Sequence, residues 1–96
     1  MNLQVTARHF ELSERLEDMV KREAAALEKH FDGVKEVAVV LTNDRGLRHV
    51  DVTVRVPNHT LNSEAESSEQ FDVLIPNVMK RASAQLQRYK EKLKKL

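Results

Sequence analysis

Apolar residues recur along the chain with two different periods. Leu3, Val5 and Ala7 alternate with polar neighbours over positions 2–7, the mark of a short strand with one apolar face. Ser13 is placed to cap a helix that runs to about His30. Leu16, Met19, Val20, Ala24 and Leu27 fall at helical spacing in it, and Phe31 continues the series. Asp32 and Gly33 close the helix, with Gly33 suited to the left-handed residue that often follows a helix end. Val34–Leu41 is rich in β-branched residues and reads as a second strand, followed by a turn at Asn43–Gly46. Val50, Val52, Val54 and Val56 then alternate with His49, Asp51, Thr53 and Arg55, a strand with one buried and one wet face. Pro57-Asn58-His59 makes another turn, and Leu61, Ser63 and Ala65 alternate with Asn62, Glu64 and Glu66 in a weaker strand. From about Glu69 the remainder is a long helix with an apolar stripe at Ile75, Val78, Met79, Ala82, Leu86, Tyr89 and Leu93.

The order is therefore β-α-β-β-β-α. Three successive strands with short turns predict an antiparallel meander. Each helix has one apolar face, and the wet sheet face carries charges, so both helices must cover the other face. The expected fold class is α+β, a two-layer sandwich with a mostly antiparallel four-stranded sheet and two helices on one side. Ninety-six residues suit one domain, 1–96, with no linker or internal repeat.

Charge changes the picture only through its distribution. Sixteen Lys and Arg nearly cancel fifteen Asp and Glu, so net charge says nothing about partners. At about 100° per residue, however, positions seven or eleven apart align on a helix. Arg15, Arg22 and Lys29 share a line on the first helix, diluted by Glu14, Glu17, Asp18, Glu23 and Glu28. Arg81, Arg88, Lys92 and Lys95 share a line on the last helix, and Lys80, Lys90 and Lys94 form a second basic edge. Acidic residues collect at Glu64, Glu66, Glu69 and Asp72. Rows of cations on rigid helices can track a nucleic-acid backbone and release its counterions. The bland alternative is a solvated amphipathic face.

No catalytic constellation is apparent. His9, His30, His49 and His59 lack metal-ligand spacing, with His49 and His59 expected near opposite ends of one strand. Gly33 and Gly46 are the only glycines, which excludes a glycine-rich phosphate loop. Glu64 and Glu66 share a strand face, but an exposed acidic strand is the plainer reading. Without cysteine there is no thiolate chemistry and no disulfide. Phe31, Phe71 and Tyr89 sit at apolar positions and read as core, leaving no aromatic pair on the sheet face to stack bases. The N-terminus has no signal-like apolar segment, no run is long enough to cross a membrane, and the expected location is cytoplasmic.

The chain resembles the ribosome hibernation-promoting factor family, also called the ribosomal subunit-interface or sigma-54 modulation protein family. The resemblance is carried over nearly the whole length by the opening strand and helix start (Leu3 to Leu16) and ALEKHFD (Ala26 to Asp32). VAVVL (Val37 to Leu41), VDVTVRVP (Val50 to Pro57) and AQLQRYKEKLKK (Ala84 to Lys95) complete it. It implies a fold similar to double-stranded-RNA-binding domains and a function without catalysis or cofactor. Family members bind the small ribosomal subunit and its rRNA where mRNA and tRNA would sit, and they silence translation in stationary phase. Some promote ribosome pairing, which would bring in a ribosome-dimerising partner protein. The family's basic positions are held here by Arg22, Lys29, Arg81, Arg88, Lys90 and Lys92, with Lys80, Lys94 and Lys95 extending the surface. Ending just after the basic helix, the chain resembles the short form. It departs from the pattern at Glu23, Ala84 and Pro76, where Lys, Arg and Asp are usual. Inside a helix Pro76 would remove a hydrogen bond, so the last helix is expected either to start late, near Asp72 to Ile75, or to kink. A protein-interaction module of the same fold, without ribosome binding, is the alternative function.

Overall fold

A computed structural model describes residues 1–94 of the 96-residue chain. The elements are β1 (Asn2–Arg8), α1 (Glu14–His30), β2 (Glu36–Asp44), β3 (Leu47–Val56), β4 (His59–Ser67) and α2 (Phe71–Lys94), in the expected order. The strands form one mixed sheet in the spatial order β1-β2-β3-β4. β1 runs parallel to β2, and the other two pairings are antiparallel.

Both hairpins close with two residues. Between paired Asp44 and Leu47, Arg45 and Gly46 both take positive φ (52° and 89°), which matches the right-handed twist of the flanking strands. Between paired Val56 and His59, Pro57 brings its fixed φ and Asn58 takes φ 62°. His59 therefore opens β4 rather than ending a turn. His49 and His59 lie on different strands, at opposite ends of the β3–β4 ladder. β2 is also shifted along the chain from the expected Val34–Leu41. Val34 is buried but lies outside the strand, which continues instead to Asp44 at the tight turn.

The two sheet faces differ sharply. Val37, Val39, Leu41, Val50, Val52, Val54, Val56 and Leu61 point to the helices and are buried. They meet Leu16, Val20, Ala24 and Leu27 of α1 and Leu74, Ile75, Val78, Met79, Ala82 and Leu86 of α2 in one core. A large apolar side chain such as these, fully removed from water, contributes about 1.5–3 kcal/mol. Ser63 is the buried polar exception, and its hydroxyl donates to the Val78 carbonyl at 3.1 Å, joining β4 to α2.

The helices lie side by side with like ends together. At the N-terminal ends Arg15 pairs with Asp72 at 2.6 Å. At the other ends the Lys90 ammonium reaches the His30 carbonyl at 3.5 Å, and Phe31 meets Tyr89 edge to face, 5.8 Å between ring centroids. Ser13 caps α1 as expected, its Oγ accepting from the Leu16 N–H at 3.1 Å. The far end of α1 departs from expectation. Phe31 is the C-cap in extended conformation, and Gly33 is not left-handed. Gly33 is small because the Phe31 ring occupies the space of a Cβ, which would lie 2.5 Å from Phe31 Cε1. Phe31 and Tyr89 are half-buried rather than core, and Leu93, assigned to the apolar stripe, is 44% exposed.

α2 begins at Phe71 and runs unbroken to Lys94 with Pro76 inside it. The late start does not hold. Val73 and Leu74 both donate to the Gln70 carbonyl, so the first turn is complete before the proline. Pro76 is half-buried beside α1, where it lines a groove with Glu23, Ala26, Met79 and Lys80.

Candidate nucleic-acid interface

The cations of α2 are divided between its two flanks. Lys80 and Lys90 lie on the α1 side: Lys80 lines the groove against Glu23 and His30, and Lys90 sits beside Lys29 and Asp32. Arg88 and Lys92 lie on the β4 side, beside His59 and Leu61. Arg81, seven residues before Arg88, falls on that same flank by helical period. Arg22, Lys29, Lys80, Arg81, Arg88, Lys92 and Lys94 are exposed, and Lys90 is half-buried. Among the described residues none of these eight belongs to an ion pair. Lys95, expected to extend the β4-side row, lies outside the described residues.

Arg15 drops out of the free row. It shares α1 with Arg22 and Lys29, but its guanidinium donates to both Asp72 carboxylate oxygens, at 2.6 and 3.3 Å. That hydrogen bond, with the accompanying charge attraction, holds the Asp72 carboxyl below the usual carboxylate range. The pair crosses between the positive dipole ends of two helices, where Asp72 is well placed and Arg15 is tolerated because it is paired. At the opposite end both helices finish with bases, Lys29 and His30 on α1 and Lys92 and Lys94 on α2, which complement the negative dipole ends.

The acidic residues sit elsewhere. Glu64 and Glu66 lie on the open sheet face, opposite Asp51 and His49 of β3. Ligand atoms of His49, Asp51 and Glu64 lie within 4.8 Å of one another. The Asp51 carboxylate is already engaged, accepting from Asn62 at 2.9 Å and from the Thr53 hydroxyl at 3.4 Å. Sequence reasoning misses this grouping because it depends on the β3–β4 register. The two-residue turn at Pro57-Asn58 sets that register, and pairing the strands outward from Val56 and His59 is the signal that could have found it. A second missed feature is an aromatic pair away from the sheet face. His59 stacks on Tyr89, 5.1 Å between centroids and 5° between planes. No local spacing joins residues so far apart in the chain.

The architecture defines a small α+β domain: two helices, the second strongly basic, cover one side of a sheet whose open face carries Asp51, Glu64 and Glu66. Comparison with known proteins makes the class specific. The chain belongs to the family described as Sigma 54 modulation protein / S30EA ribosomal protein, whose model matches residues 3–94. It is similar to the ribosome hibernation promoting factor of Escherichia coli K12, at 30% identity over 98% of each chain. It is similar to the factor of the same name from Pseudomonas putida, at 26% identity over 100% of this chain and 93% of that one. Two solved structures share the fold. The N-terminal domain of Thermus thermophilus Protein Y superposes with a TM-score of 0.83 at 23% identity, over 93% of this chain and 99% of that one. A ribosomal subunit interface protein from Coxiella burnetii superposes with a TM-score of 0.81 at 22% identity, over 95% and 99%. Membership in this family, which is not one of enzymes, agrees with the expectation that the chain is not a catalyst.

Proposed function

We propose that this protein is a ribosome-associated translation inhibitor that binds the rRNA of the small subunit in the mRNA and tRNA channel. By occupying that channel it promotes ribosome hibernation in the cytoplasm of stationary-phase or stressed cells. The observation that carries the reading is the unpaired cationic surface on α1 and both flanks of α2, in a chain whose relatives are named for ribosome hibernation. Arg22, Lys29, Lys80, Arg81, Arg88, Lys90 and Lys92 would each meet a phosphate, and Lys94 and Lys95 would extend the contact. Such contacts fix register on the RNA without reading its sequence. Inhibition then needs no chemistry, because the protein body excludes mRNA and tRNA from the space it fills. Neither cofactor nor small-molecule substrate enters this account, and ribosome pairing would fall to a separate partner protein.

The double variant Arg88→Glu with Lys92→Glu tests it. Both side chains are exposed and outside the core, so the fold should persist by circular dichroism. Affinity for small subunits, measured by sedimentation, should fall by at least about 100-fold, because two attractions to phosphate become two repulsions. Undiminished binding would remove α2 from the interface.

A further inference from the structure

Beside the β4-side cations the structure holds an aromatic pair at the edge of the core: Tyr89 packs against the core, and His59 lies outside it. His59, the first residue of β4, is exposed, and its ring lies parallel on Tyr89. Tyr89 is fixed from three sides. Its hydroxyl donates to the Pro57 carbonyl at 2.9 Å, Phe31 packs edge-on against its ring, and α2 carries its backbone. The pair borders a groove of about 670 Å³ between β4 and α2, lined also by Leu61, Leu93, Arg88 and Lys92. Stacked rings and aliphatic side chains offer a flat apolar surface, and the guanidinium and ammonium groups offer positive charge beside it.

We propose that this groove takes one unstacked base of a single-stranded RNA segment, its face against the His59–Tyr89 pair and its flanking phosphates on Arg88 and Lys92. A nucleotide is the ligand in which a flat π-face and an anion are joined as this groove requires, and base–aromatic stacking is tolerant of sequence. Tyr89 is held in place before binding, so little ordering is needed when the base arrives. The inference rests on the rRNA reading above and deepens it: the interface contains a non-ionic contact in addition to phosphate contacts.

That difference supplies the test. Removing a cation that meets a phosphate makes the dependence of log affinity on log salt shallower by about one, whereas removing a stack lowers affinity without changing the slope. His59→Ala should weaken small-subunit binding about tenfold at unchanged slope, and His59→Phe should restore it. The same variants are titrated with a short single-stranded RNA carrying 2-aminopurine, whose fluorescence is quenched on stacking. The wild type and His59→Phe should quench it, and His59→Ala should not. Normal binding and quenching by His59→Ala would overturn the proposal. So would a ribosome defect with no change on the RNA probe, which would assign the groove to a protein. Failure of the wild type itself to bind small subunits would instead overturn the parent reading.

Discussion

Gly33 owes its identity to the ring of Phe31. Its backbone would accept any residue, but a Cβ there would lie 2.5 Å from a ring that is itself packed on Tyr89. Gly33→Ala should therefore lower unfolding free energy by about 1–3 kcal/mol, as overpacking does. In urea denaturation the penalty should shrink when Phe31→Leu is already present, and strictly additive penalties would contradict the contact. Sequence reading takes this glycine for a left-handed helix terminator, which it is not; its reason is a side chain that leaves the helix at the C-cap, and local sequence does not show that. Asp72 offers a second test at this scale. Its pKa is lowered in the folded state by the hydrogen bond and charge of Arg15. The pair therefore adds stability above the unfolded carboxyl value, and that stability is lost as pH falls through the lower folded value. Asp72→Asn should remove this part of the acid sensitivity, so that the two proteins' stabilities converge towards low pH. A gap of constant size across the acid range, measured by thermal unfolding, would contradict it.

Among the elements, the strands with strict alternation are the most legible. Val50 to Val56 can be read at once because its period of two fits only one buried face. β2 is misplaced by sequence reasoning because its β-branched run starts at Val34, whereas pairing with β1 and β3 starts at Glu36. α2 shows a local rule overridden by tertiary structure. Pro76 is the sixth residue of the helix and cannot donate to the Asp72 carbonyl. Burial of Ile75, Val78 and Met79 around it holds the helix through the defect. Pro76→Ala should restore that hydrogen bond and raise stability by about 1–3 kcal/mol. Equal or lower stability in calorimetry would mean that the half-buried ring packs against α1 more favourably than the missing bond would bind.

For the molecule as a whole, a net charge of +1 conceals a separation of charge. The basic surplus lies on α2, where Lys80, Arg81, Arg88, Lys90, Lys92 and Lys94 are accompanied only by Asp72 and Glu91 as acids of the same helix, while Asp51, Glu64 and Glu66 lie on the open sheet face. Helical period makes the two basic rows readable in sequence. It cannot say which row faces α1 and which faces β4, show Arg15 neutralised by Asp72, or bring His59 to Tyr89, since each of these depends on contacts between distant elements. In the proposed complex α2 is the element that meets the phosphates, and the carboxylates of the open sheet face turn that face away, which sets orientation as well as affinity. The most direct test is sedimentation of the purified protein with ribosomes and separated subunits across a salt series. The account predicts binding to the small subunit, with log affinity falling against log salt at a slope of about −3 or steeper. Binding that ignores salt, or that is absent from the small subunit even at low salt, would contradict it and leave a protein-interaction module of the same fold.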